Sequence, residues 1–136
     1  MSQTEYAESF AILDGHQYMN IISFYENGRG VKTPVWFAEI DGRLYVTTQA
    51  TSYKVKRIRA TGRVEVGPSD ARGNPQGPVV KAEARVLDEG RESALIETAM
   101  KALRKKYGLL FRAFMLMARF RNAEGAILEI WLPDSA

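Results

Sequence analysis

The sequence predicts a mainly β fold with helices: six antiparallel strands arranged as a barrel or sheet. Three observations carry this. Short runs of β-branched and aromatic residues are punctuated by the hairpin signals Asn27-Gly28 and Asp41-Gly42. The strands do not alternate with helices in the βαβ manner that builds a parallel sheet. A helical period appears only in one short basic segment and in two consecutive segments late in the chain.

Taken in order, residues 1–6 read as a loose tail, and Tyr6 to Leu13 as one short helix stopped by Asp14-Gly15. Gln17 to Tyr25 reads as the first strand and Glu26 to Gly30 as a turn. Val31 to Ile40 is expected as one strand, Asp41-Gly42 as a two-residue turn, and Leu44 to Thr48 as the returning strand. Thr51-Ser52 stands where a helix N-cap belongs, and Thr61-Gly62 ends the helix that follows. Arg63 to Pro68 alternates as a strand with one buried face, and the breaker-rich residues 70–78 form a loop. Val79 to Leu87 alternates again, with Val80, Ala82, Ala84 and Val86 on one face and Lys81, Glu83 and Arg85 on the other. From Ser93 to Tyr107 the period becomes helical, with Leu95, Ile96, Ala99, Met100, Leu103 and Tyr107 on one stripe and Gly108 as the stop. A second amphipathic helix spans Leu110 to Phe120. Residues 122–125 make a turn, and Ala126 to Leu132 is the last strand, ended by Pro133.

Composition narrows the chemistry. The 136 residues suit a single domain, with no internal repeat, and 46% apolar content is ordinary for a globular chain. With no cysteine there is no disulfide and no thiolate metal site, and a cytoplasmic location is expected. His16 is the only histidine, so neither a zinc cluster nor a Ser-His-Asp triad can be assembled, and no metal is expected. The most apolar stretch, Leu109 to Phe120, is interrupted by Arg112 and Arg119, so no membrane partner is expected. A net charge of +3 does not by itself imply nucleic acid, and the aromatics are not interleaved with the basic residues as single-strand stacking requires. Neither a phosphate-binding P-loop nor a dinucleotide fingerprint occurs, and no carboxylates pair as an acid–base dyad. Any redox chemistry is therefore expected to reside in a bound cofactor, and no catalytic residue is named.

The basic helix start is the unusual feature. Lys54, Lys56, Arg57 and Arg59 follow the cap, at the end of the helix dipole where cations are unfavourable. They form either a solvated face or a site for an anion held by backbone N–H groups and cations together. Trp36 and Trp131 are the residues large enough to line a planar ligand, or else they pack in a core or interface.

Thr33-Pro34-Val35-Trp36-Phe37-Ala38, Leu44-Tyr45-Val46-Thr47-Thr48, Ser52-x-Lys54-Val55-Lys56-Arg57-Ile58, Val64 and Asp70-Ala71-Arg72-Gly73 together resemble the pyridoxamine 5′-phosphate oxidase-like family. The nearest branch is that of the small F420-dependent oxidoreductases, and the resemblance covers about residues 8–132. It implies a six-stranded, FMN-binding-like split β-barrel that forms a homodimer with two flavin or deazaflavin sites at the subunit interface. Carried over by this resemblance, Thr33, Pro34, Val35 and Trp36 run along the ring system. Thr47, Thr48 and Ser52 border the ribityl chain and phosphate, and Lys54 and Arg57 bind the phosphate. The first strand departs from the family pattern, with Ile22-Ser23 where a Thr-Thr pair is common. The expected function is hydride transfer from reduced coenzyme F420 to a small organic acceptor. FMN is the alternative cofactor, and a non-catalytic flavin, deazaflavin or haem carrier the alternative class. A dimer is also expected because the apolar helices after residue 93 offer more apolar face than one core uses.

Overall fold

The computed structural model describes residues 6–121 and 124–133. Eight strands form one sheet: β1 (Tyr6–Ala7), β2 (Tyr18–Phe24), β3 (Gly30–Val35), β4 (Ala38–Ile40), β5 (Arg43–Gln49), β6 (Arg63–Ser69), β7 (Val79–Val86) and β8 (Gly125–Trp131). Helix α1 (Tyr53–Thr61) lies between β5 and β6, and α2 (Ser93–Tyr107) and α3 (Leu109–Phe120) between β7 and β8. The strand order is β3-β2-β6-β7-β8-β5-β4, antiparallel throughout except that β1 pairs in parallel with β7.

Eight strands replace the six expected, for two reasons. Tyr6–Ala7 adds to the edge of β7 at Val79 and Val80 instead of starting a helix, and only Phe10–Leu13 turns, as a 3₁₀ turn capped by Ser9. The expected strand from Val31 to Ile40 breaks at Trp36-Phe37. There the backbone leaves β2 and crosses to β5, and helix α2 supplies the hydrogen bonds that a strand partner would have made. The Tyr107 hydroxyl accepts from the Phe37 N–H at 2.9 Å. The Lys106 ammonium donates to the Phe37 carbonyl, also at 2.9 Å. Of the residues expected to form the tail (1–6), 1–5 lie outside the described residues and Tyr6 belongs to β1; residues 122–123 of the turn before the last strand also lie outside them.

The break rolls the sheet. β3 and β4 are its two opposite edges, yet only residues 36–37 separate them. Three peptide steps reach about 11 Å at most, so the edges are held close and the sheet curls into a barrel split along this seam. Inside sit Met19, Ile21, Val46, Val64, Val66, Leu128 and Ile130, each fully buried. A second core lies on the outer face, where Tyr45 and Ile127 pack with Ala99, Leu103, Tyr107 and Phe111 of α2 and α3. β5 and β8 are therefore buried on both faces, which accounts for the unbroken apolar runs Leu44-Tyr45-Val46 and Ile127-Leu128. The buried carboxylate in this layer, Glu129, is satisfied by the Tyr45 hydroxyl (2.7 Å), Arg85 (2.9 Å) and Arg43 (3.2 Å).

The local signals behave as read. Asp41 and Gly42 both adopt positive φ, 51° and 80°, the geometry that matches a two-residue hairpin to strand twist. Ser52 caps α1 by accepting from the Val55 N–H, and Gly62 closes it at φ 69°, donating to the Ile58 carbonyl.

Candidate functional site

Helix α1 crosses the end of the barrel and fastens two strands that lie far apart along the sheet. From its first turn, Lys54 reaches the end of β5 and donates to the Thr48 hydroxyl at 3.0 Å. One turn later, Arg57 donates through Nε to the Ser23 hydroxyl of β2 at 2.7 Å, and its guanidinium lies 5.3 Å from the Tyr25 ring centre. Lys54 and Arg57 are each only 8% exposed, and neither meets a carboxylate among the described residues. Burial, and then the neighbouring Arg57 charge, push the Lys54 ammonium below its ordinary pKa. Two buried like charges with only hydroxyl partners leave an electrostatic deficit that an anion would fill. The helix N-terminus adds its own positive end at the same place, with no acidic residue in the first turn.

Of the residues marked in the sequence, the structure gathers Thr48, Ser52, Lys54 and Arg57 around the start of α1. Thr33, Pro34 and Val35 run along β3, paired with Ile21, Asn20 and Met19. The Ser23 end of β2 lies beside Val31, so Thr33 is about 7 Å and Trp36 about 17 Å further along, at the spacing of extended chain. A ligand with an anionic end at α1 and a ring along Thr33–Val35 matches this run. Trp36, half-buried, follows at the end of β3. It stacks on Tyr107 of α2, with centroids 4.5 Å apart and planes 10° apart, and Phe114 of α3 tilts against it at 5.4 Å. Trp131 sits with Arg43 at the far end of β5 from Thr48. Thr47, one residue out of phase with Thr48, turns to the outer face. It lines a largely apolar cavity of 510 Å³ with Met100, Phe114, Met117 and Ile127, and Thr48 borders the same cavity.

Three residues were not marked by the sequence reading. Ser23 is in phase with the buried Met19 and Ile21, so a polar residue on the core face of β2 was the available signal. Asn20 is buried beneath the 70–78 loop, donating to the Gly73 carbonyl at 2.9 Å, while its Oδ1 has no partner. Tyr25 gave no signal in sequence. Hydrogen bonding to Arg29 is the main cause that draws its hydroxyl below the ordinary pKa, with Arg57 contributing.

No family model and no curated protein matches the sequence. Solved structures do. The chain is similar to an FAD-binding protein from Mesorhizobium loti (17% identity, TM-score 0.62, covering 90% of this chain and 86% of that one). It is similar to the haem-storage protein HutZ from Vibrio cholerae (8% identity, TM-score 0.68, covering 91% and 87%). It is also similar to an F420 reductase (14% identity, TM-score 0.52, covering 92% and 93%). The architecture is therefore that of the pyridoxamine 5′-phosphate oxidase-like split barrels. At these identities the likeness establishes the fold, and the chemistry rests on this chain's own residues.

Proposed function

We propose that the protein is an oxidoreductase that binds reduced coenzyme F420 and passes its hydride to a small organic acceptor, with FMN as the alternative cofactor. The observation that carries this is the pair of buried, carboxylate-free cations Lys54 and Arg57 at a capped helix start. Lys54, Thr48, Ser52 and Arg57 would hold the phosphate. Thr33, Pro34 and Val35 would border the ring, and Trp36 would fix the end of that wall through its stack on Tyr107. Bound F420 supplies hydride transfer from its C5 carbon. The residues of this chain bind, orient and exclude water; none is assigned as proton donor. The exposed Arg29, Lys32, Lys56 and Arg59 extend positive charge outward from the phosphate end, which favours a phosphodiester with an anionic tail over a lone phosphate. The seam lies between β3 and the β4–β5 edge, and a second subunit covering it would complete two interface sites.

Fluorescence titration with F420 and, in parallel, with FMN tests the reading. Micromolar or tighter F420 binding with weak FMN binding is expected. The reverse order moves the protein to the flavin alternative. Binding of neither removes both and leaves haem, which the HutZ likeness suggests, as the next ligand to titrate.

A further inference from the structure

We infer that α3 is a membrane-surface helix, seating the protein on a bilayer with anionic headgroups. This inference does not rest on the cofactor reading.

α3 buries only a narrow stripe against the fold. Phe111 is 1% exposed, and Met115 and Ala118, at three- and four-residue spacing, are partly covered. The opposite side carries Leu109, Leu116, Met117 and Phe120, at 78%, 57%, 54% and 80% exposure. Soluble chains seldom present so continuous an apolar strip without a partner. The helix periodicity places Arg112 and Arg119 along one edge of this strip and Arg121 along the other. None of the three is ion-paired among the described residues. Apolar residues facing out between flanking arginines is the pattern of a helix lying in the interfacial plane, its arginines extended to the headgroups.

Charge selects the occupant. Between Glu97 and Glu124 the sequence has no carboxylate and seven lysines and arginines. A second copy docking α3 on α3 across a two-fold axis would set Arg112 against the other copy's Arg119, with no acidic residue on the helix to compensate. Anionic lipid supplies the missing charge. Spanning is excluded by length: 12 residues rise about 18 Å against a hydrocarbon layer of about 30 Å. This proposal departs from the sequence expectation of no membrane partner, which was argued from the lack of a spanning segment.

The test is co-sedimentation of the full chain, without cofactor, with phosphatidylcholine vesicles and with mixed phosphatidylcholine–phosphatidylglycerol vesicles. Binding is expected to the mixed vesicles and to be much weaker to phosphatidylcholine alone. An Arg112→Gln/Arg119→Gln variant should partition about 30-fold less onto the mixed vesicles. A Leu116→Glu/Phe120→Glu variant should not bind, while melting as the wild type does because both side chains are exposed. Wild-type protein that stays in the supernatant with both vesicles overturns the inference. So does a glutamate variant that still binds. If the glutamate pair instead converts a dimer to a monomer, a second copy covers this face and the lipid assignment is wrong.

Discussion

Lys54 and Arg57 are held in place by hydroxyls rather than carboxylates, and this is the most informative chemistry in the chain. A carboxylate beside either would stabilise the empty protein and compete with an anionic ligand. Lys54→Ala is expected to weaken cofactor binding by about 1.5–3 kcal/mol, the range for a hydrogen bond to a charged group. Unchanged affinity in the titration would remove the phosphate assignment. Lys106 makes a second residue-scale prediction. The residue is exposed as a whole, but its ammonium rests 3.4 Å from the Phe37 ring centre, and burial lowers its pKa from 10.5 to about 8. Between those values the unfolded chain holds a proton that the folded protein lacks, so stability contributed at this site rises with pH. Below about 8 the site carries its full penalty. Urea midpoints should climb from about pH 8 to 10 in the wild type and climb less in Lys106→Met. Above pH 10 the sign reverses, because burial raises the Tyr107 hydroxyl to about 12 and its stabilisation is lost as it ionises.

At the scale of elements, the joint between β3 and β4 depends on one side chain. The Tyr107 hydroxyl accepts from the Phe37 N–H and lies 2.8 Å from the Gln17 carbonyl and 3.0 Å from that of Phe37, so its single proton serves two acceptors. Tyr107→Phe keeps the stack on Trp36 and orphans the Phe37 N–H. We expect a loss of about 1–3 kcal/mol in urea unfolding, with the Trp36 environment little changed. A smaller loss would mean that water replaces the hydroxyl. The end of α1 offers a cleaner backbone test. A Cβ at Gly62 would meet nothing nearer than the Ala84 carbonyl at 3.7 Å, so Gly62→Ala meets no clash and reads the left-handed conformation alone. It should destabilise by about 1–2 kcal/mol, measured by the same denaturation. A result near zero would show that the cap relaxes out of positive φ.

For the molecule as a whole, curling the sheet leaves a seam along β3 and β4–β5, and the proposed ring site lies on it. A homodimer is expected from sedimentation equilibrium; with α3 given to lipid it would form on this side, and not through the apolar helices on which the sequence expectation of a dimer rested. A monomer at working concentration would exclude sites shared between subunits and leave the proposed site to a single chain. Because β5 and β8 carry core on both faces, the helical layer and the barrel should unfold together. Coincident far-ultraviolet and tryptophan transitions would show this.

Much of this was legible in the sequence because the signals are local. The hairpin at Asp41-Gly42, the cap at Ser52, the stop at Gly62, the span of α2 and the alternation of β7 each depend on neighbours a few residues apart. The basic helix start was legible too, as a conflict with the helix dipole. Its meaning was not: a solvated face and an anion site have the same spacing, and only the barrel decides that Lys54 and Arg57 point inward to Thr48 and Ser23. Tertiary structure alone also broke the strand at Trp36-Phe37, because the hydrogen-bond partners there come from Tyr107 and Lys106, some seventy residues away. It stacked Trp36 on Tyr107 and drew Tyr6–Ala7 into the sheet. Local propensity determines which segments extend or coil. Which strand ends at an edge, which cation is buried and which apolar helix face is left uncovered depend on contacts that no short window of sequence contains.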